Sequence, residues 1–211
     1  NVLSAGEKYG SSDEGKGKTI CIDYSSVNIA KPFHIGHLST TVIGAALYRT
    51  YKFLGYNAVG INHLGDYGTQ FGKLIVAFNT WGDRKTVEQG GVRELMRLYV
   101  RFHEEAEKNP ALDEAARHEF KKIEQGDKEA NELFEFFKAL TLKEVGKIYD
   151  RLNVSFDSYA GESFYNDKMQ PVVDELREKG LLKKSEGAEI VDLSEYNMPP
   201  CIILRSDGAS L

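Results

Sequence analysis

No apolar run in the sequence approaches the roughly 20 residues that a bilayer-crossing helix needs, and no secretory leader is visible. A cytoplasmic protein without membrane contact is expected. Cysteine is scarce: Cys21 and Cys201 are the only two, far apart, each inside an apolar stretch. Such a pair offers neither a disulfide framework nor zinc-ligand spacing, and reads as two small core residues in a reducing compartment. Positive charge is not in excess. Lys and Arg total 27 against 32 Asp and Glu, a net charge of −5, so the overall field does not predict nucleic-acid binding. Any such binding would need a local basic face, or one outside this stretch of chain. No internal repeat is present. What the sequence does have is core material: 41% hydrophobic residues, with eleven Phe and eleven Tyr, which disordered chains lack. The length of 211 residues suits one large domain, or a domain carrying an insertion.

Residues 1–18 are rich in Gly, Ser and Lys and poor in large apolar side chains, so they read as a flexible lead-in or linker. Residues 19–24 form a buried-strand pattern. From Gly36 to Leu54 the pattern is helical, with Ile43, Ala46, Leu47, Thr50 and Leu54 on one face and Gly55 as the stop. Asn57 to Asn62 reads as a second strand. Strand, helix, strand implies a parallel pair with a right-handed crossover. A turn follows at Gly65-Asp66-Tyr67-Gly68, then a helix over Gln70 to Phe78. Residues 19–87 are therefore expected to be the first half of a Rossmann-type parallel sheet in an α/β fold.

From residue 88 to 211 the pattern becomes a mainly helical insertion with a few short strands, returning toward the sheet. Pro110 and Gly126-Asp127 interrupt the helices, and Thr141-Leu142-Lys143-Glu144 has the form of a capping box where a helix restarts. Leu133, Phe134, Phe137 and Leu140 are expected to face a core, while the dense charges of this region read as solvated faces. Val154 to Phe156 is a strand candidate, and a helix is expected over Met169 to Lys179. Strands at 181–184, 188–193 and 201–205 are expected to be antiparallel, and Ser206-Asp207-Gly208 reads as a turn. A doubly wound sheet has a second half, and none is visible here.

The stretch DYSSVNIAKPFHIGH, residues 23–37, carries the chemistry. A strand, a polar loop and a helix start in that order form the arrangement by which α/β sheets hold phosphates. His34 and His37 flank Gly36 at the helix start. Donors fixed there can stabilise charge that develops on a phosphate when ATP activates a carboxylate, and Gly36 allows close approach to the backbone. A lone His is more often structural, but two at this junction are harder to dismiss. Zinc is not indicated, because no further Cys or His stands at ligand spacing. Lys31 would be a solvated loop lysine elsewhere; beside a phosphate site it is a partner for phosphate oxygens. Asp23 and Asn28 lie at the carboxyl edge of the sheet, with capping and turn formation as their plain alternatives. Glu162, in Gly161-Glu162-Ser163-Phe164-Tyr165-Asn166, reads by itself as an exposed turn carboxylate.

Five segments in order, DYSSVNIAKPFHIGHLSTTVIG, INHLGDYGTQFGKL, FKKIEQGDKEA, YDRLNVSFDSYAGESFYN and LRSDGASL, closely resemble arginyl-tRNA synthetases of class I. The resemblance covers nearly everything after residue 15. It implies a Rossmann catalytic core interrupted by a helical insertion, which activates L-arginine with ATP (and the Mg2+ that accompanies it) and transfers it to tRNA(Arg). It further implies that His34, Gly36 and His37 bind ATP, and that Lys31 takes over part of the task of a second, Lys-based motif. It assigns Asn28 and Asp23 to the amino-acid end of arginine, and Glu162 to its guanidinium. Val27, Ser39 and Tyr67 stand where the family usually has Pro, a basic residue and Trp. Regions the family places before and after such a segment, including most tRNA contacts, are not found in these residues, so the piece itself is expected not to charge tRNA and to self-associate through an exposed sheet edge. The competing readings are another class I synthetase or nucleotidyltransferase, and a synthetase-like binding paralogue without activity.

Overall fold

The computed structural model describes residues 2–205 and 208. They form two compact units, one ending at Ser163 and one beginning at Phe164. The first opens with a short helix, α1 (Val2–Ala5), and a 3-10 turn. The lead-in then hydrogen-bonds along the chain ahead: the Gly15 N–H donates to Leu54 O at 2.9 Å and the Asn57 N–H to Lys18 O at 3.0 Å.

Strand β1 (Thr19–Asp23) pairs in parallel with β2 (Asn57–Ile61), Thr19 opposite Asn57 and Asp23 opposite Ile61. Helix α2 (Ile35–Phe53) is the crossover. It buries His37, Thr41, Gly44, Ala45 and Tyr48, which follow one another at helical spacings. The expected face does not hold: Ile43 and Leu47 are exposed, as are Ala46 and Thr50. The cause is a close approach. The Tyr24 ring lies over Gly44, where an added Cβ would sit 2.1 Å from Tyr24 Cβ, so the small and polar side of α2 meets the sheet. Cys21 and Cys201 are likewise exposed rather than core residues.

Beyond β2 come α3 (Thr69–Trp81), α4 (Arg84–Ala106), α5 (Ala111–Glu124) and α6 (Lys128–Leu152). Pro110 caps α5, and Asp127 caps α6 by accepting the Ala130 N–H at 3.0 Å. Leu74, Ile75, Val87, Leu95, Leu98, Phe102, Ala116 and Phe137 form the largest apolar cluster, with Leu133 and Leu140 packed against it. Gly72 lets α3 touch α5, because a Cβ there would fall 1.9 Å from Ala116 O. Helix α6 runs unbroken through Thr141, so the capping box is not used. Thr141 is fully buried, and its hydroxyl returns to Phe137 O. Helix α4 is two helices joined at Gly91 (φ 56°, ψ −141°), where the Glu144 carboxylate of α6 accepts the Val92 N–H at 2.9 Å. Residues 154–156 form no strand; Ser158 instead makes a parallel bridge to Ile61.

In the second unit, α7 (Met169–Glu178) precedes an antiparallel sheet of β3 (Leu182–Ser185), β4 (Ala188–Val191) and β5 (Cys201–Leu204). Glu186 and Gly187 both have positive φ, the requirement of a tight two-residue hairpin. The turn expected at 206–208 lies largely outside the described residues. No helix among the described residues is long and apolar enough to cross a membrane.

Candidate active site

The chain leaves β1 at Asp23 and takes a contorted path to α2. Ser25, Ser26 and Ala30 all have positive φ, at 74°, 50° and 59°. For non-glycine residues that conformation costs on the order of 1–2 kcal/mol each, so the loop must be held from outside. The Ser26 N–H donates to Asn62 Oδ1 at 3.0 Å, just past β2. The Ala30 N–H donates to Thr141 Oγ1 of α6 at 3.0 Å. Ladder bonds join Val27 and Ile29 to Gly65, and Asn28 bridges to Gly65. Gly65 makes room for Asn28: a Cβ there would stand 2.3 Å from Asn28 Oδ1 and displace that side chain.

His34 caps α2. The Gly36 N–H donates to His34 Nδ1 at 3.1 Å, and the His34 N–H donates to His37 Nδ1 at 3.3 Å. The imidazoles stack, centroids 3.8 Å apart and 23° from parallel. Because both Nδ1 atoms accept, each neutral ring carries its proton on Nε2, leaving two N–H donors beside the positive end of a helix. Burial, and then the facing His34, hold the His37 imidazole below its ordinary pKa. Gly36 serves this pair first, since a Cβ would press on the His34 ring at 3.0 Å.

Glu162 is reached through the other side of the β2 end. Its N–H donates to Leu64 O at 2.9 Å, and its carboxylate accepts the Tyr67 N–H at 3.2 Å while remaining exposed. Behind it lies Asp66, fully buried. Asp66 accepts from Lys138 Nζ at 2.6 Å, from the Ser163 N–H at 2.8 Å and from Ser163 Oγ at 2.7 Å.

The structure thus gathers Asp23, Asn28 and Glu162 around the carboxyl ends of β1 and β2, with the His pair at the head of the crossover helix. Asp23 is exposed and accepts the Ser26 hydroxyl at 2.7 Å. Lys31 is exposed on the loop before the His pair. Sequence reasoning missed Ser25, Thr41, Asn62, Asp66, Lys138 and Tyr149. Lys138 belonged to the charges read as solvated, but it pairs with buried Asp66. The only signal was spacing: Lys138, Thr141, Val145 and Tyr149 share one face of α6. Among the described residues, no three His, Cys, Asp or Glu side chains converge to hold a metal ion.

The family model described as tRNA synthetases class I (R), catalytic domain, matches residues 1–211. An arginine–tRNA ligase of Alkaliphilus metalliredigens is 60% identical over 210 residues, 100% of this chain and 37% of that protein. One from Clostridium perfringens gives the same identity and coverage. The chain therefore spans 37% of the length of these curated relatives. Arginyl-tRNA synthetase from Plasmodium falciparum superposes with TM-score 0.72 at 27% identity, over 100% of this chain and 34% of that one. The Thermus thermophilus enzyme, at TM-score 0.69, 23% identity, and 95% and 35% coverage, shares the fold.

Proposed function

We propose, since this chain belongs to the class I arginyl-tRNA synthetase family and forms part of its catalytic domain, that the whole protein activates L-arginine with ATP and transfers it to tRNA(Arg) in the cytoplasm. The observation that carries this reading is the stacked His34–His37 pair at the head of α2, beside a strained loop bearing Asp23 and Asn28. In this reading residues 19–87 are the nucleotide-binding half and the helical insertion begins at 88.

The work divides by chemistry. The two Nε2–H donors face charge that builds on the α-phosphate as the arginine carboxylate attacks. They are fixed by their own Nδ1 bonds, so no reorganisation is needed in the transition state. The Gly36 backbone lies open to the nucleotide, and Lys31 supplies a mobile ammonium for phosphate oxygens. Asn28 and Asp23 take the amino-acid end of arginine. Glu162 takes the guanidinium through the carboxylate oxygen that the Tyr67 amide leaves free. Mg2+ would accompany ATP and supply positive charge to its phosphate oxygens. Most contacts to tRNA fall to parts of the protein outside these residues.

The test is ATP–pyrophosphate exchange by the full-length protein with each amino acid in turn, tRNA(Arg) present. Exchange with arginine alone is expected. Exchange driven by another amino acid would reassign the substrate, and no exchange with any would favour a binding paralogue.

A further inference from the structure

Five polar groups run in a chain beneath the strained loop, all buried. Thr41 Oγ1 lies 2.6 Å from His37 O and 2.8 Å from Ser25 Oγ. Ser25 Oγ lies 2.7 Å from Tyr149 Oη, and Asn62 Nδ2 lies 3.0 Å from the same Oη. The single Thr41 hydrogen is shared between Ser25 Oγ and His37 O. Either hydroxyl can donate in the Ser25–Tyr149 bond, and Asn62 Nδ2 donates to Tyr149 Oη. The other end of the Asn62 amide accepts the Ser26 N–H at 3.0 Å. One hydroxyl therefore spans the two consecutive left-handed residues, Ser25 and Ser26, from a helix more than a hundred residues further along the chain. Burial also raises the Tyr149 pKa, against the lowering effect of its Ser25 and Asn62 bonds, so the hydroxyl stays neutral.

We propose that Tyr149 is a positioning residue for arginine: its hydroxyl holds Ser25 and Ser26 in the left-handed conformation that presents Asp23 and Asn28. The proposal rests on the arginine reading given above. Tyr149 touches no substrate; it acts through the loop. Its ring is anchored separately, edge-on to Phe33 and to Phe156, with centroids 6.3 Å and 4.9 Å away. Hydroxyl and ring can therefore be separated by Tyr149→Phe, which keeps the packing.

The experiment uses the full-length enzyme and two readouts. In Tyr149→Phe the arginine KM should rise about tenfold or more, since the buried bonds to Ser25 and Asn62 are both lost, while the ATP KM moves much less. Hydrogen exchange at the Ser26 amide should accelerate by a similar factor, because Asn62 loses the acceptor that orients it. A second pair of variants isolates the backbone. Ser25→Ala and Ser25→Gly both delete the hydroxyl, but glycine adopts positive φ without strain, so the alanine variant should be worse by roughly tenfold in arginine KM. Unchanged exchange at Ser26 overturns the proposal. So does an equal rise in the arginine and ATP requirements, or equal behaviour of the two Ser25 variants. Accelerated exchange with an unaltered arginine KM also overturns it, showing a loop that is held but does not carry arginine. If the wild-type enzyme activates no arginine at all, the functional reading fails on that result alone, while the exchange readout still judges the clamp.

Discussion

Glu162→Gln is the sharpest probe of arginine recognition. The substitution is nearly isosteric, and the glutamine oxygen can still accept the Tyr67 N–H that now lies 3.2 Å from the carboxylate. The Glu162 backbone stays tied to Leu64 O, and the neighbouring Ser163 stays bound to buried Asp66. Only the charge facing the guanidinium is removed. A hydrogen bond to a charged partner contributes about 1.5–3 kcal/mol. Glu162 is exposed, so screening favours the lower end, and the arginine KM should rise on the order of tenfold. The ATP KM should hardly move. Steady-state exchange with tRNA(Arg) present, titrating each substrate in turn, measures both. Citrulline, in which a neutral urea replaces the guanidinium, supplies an independent reading: preference for arginine over citrulline should narrow in the variant by a similar factor. An unaltered arginine requirement, or an undiminished preference, is incompatible with a guanidinium contact at Glu162.

Replacing His34 or His37 by Ala should slow aminoacylation by roughly one to three orders of magnitude, the range for losing a preorganised donor, with arginine affinity less affected; near-normal turnover at saturating ATP would remove the pair from the chemistry. The pH response of stability follows from His37, whose folded pKa lies below the ordinary 6.5. Below that value the unfolded chain takes up a proton that the folded imidazole resists, so stability falls as pH drops from 6.5 toward the lower folded pKa. Urea midpoints measured from pH 7.5 to 5.5 should decline, less steeply in His37→Asn, and identical slopes would show that His37 carries no such linkage.

The parallel pairing of β1 and β2 was legible because an apolar run, a helical period and a second apolar run leave little choice of topology. The breaks at Pro110 and Gly126 were legible because both residues disrupt helices for local reasons. The buried face of α2 was not. Apolar residues occur on both sides of that helix, and the deciding contact, Tyr24 across Gly44, is tertiary. Thr141 misled because a capping box is a local pattern, whereas its hydroxyl is drawn inward by a loop amide 111 positions earlier. The His pair was found by local order in the sequence; Asn62 and Asp66, from the β2–α3 connection, and Tyr149, from α6, support the neighbouring loops through tertiary contacts that sequence order does not show.

The joint in α4 couples that helix to α6. Past Gly91 the helix starts again, and its first amide, that of Val92, finds its acceptor in Glu144, a residue 52 positions later. A side chain at Gly91 is strained by φ 56°, and its Cβ would displace the Glu144 carboxylate, whose Oε1 lies 1.7 Å from that position. The angle between the two halves of α4 is therefore held in part by a side chain of α6. The same helix also braces the loop after β1, through Thr141 and Tyr149, so α6 ties the joint in α4 and the strained loop to one rigid element.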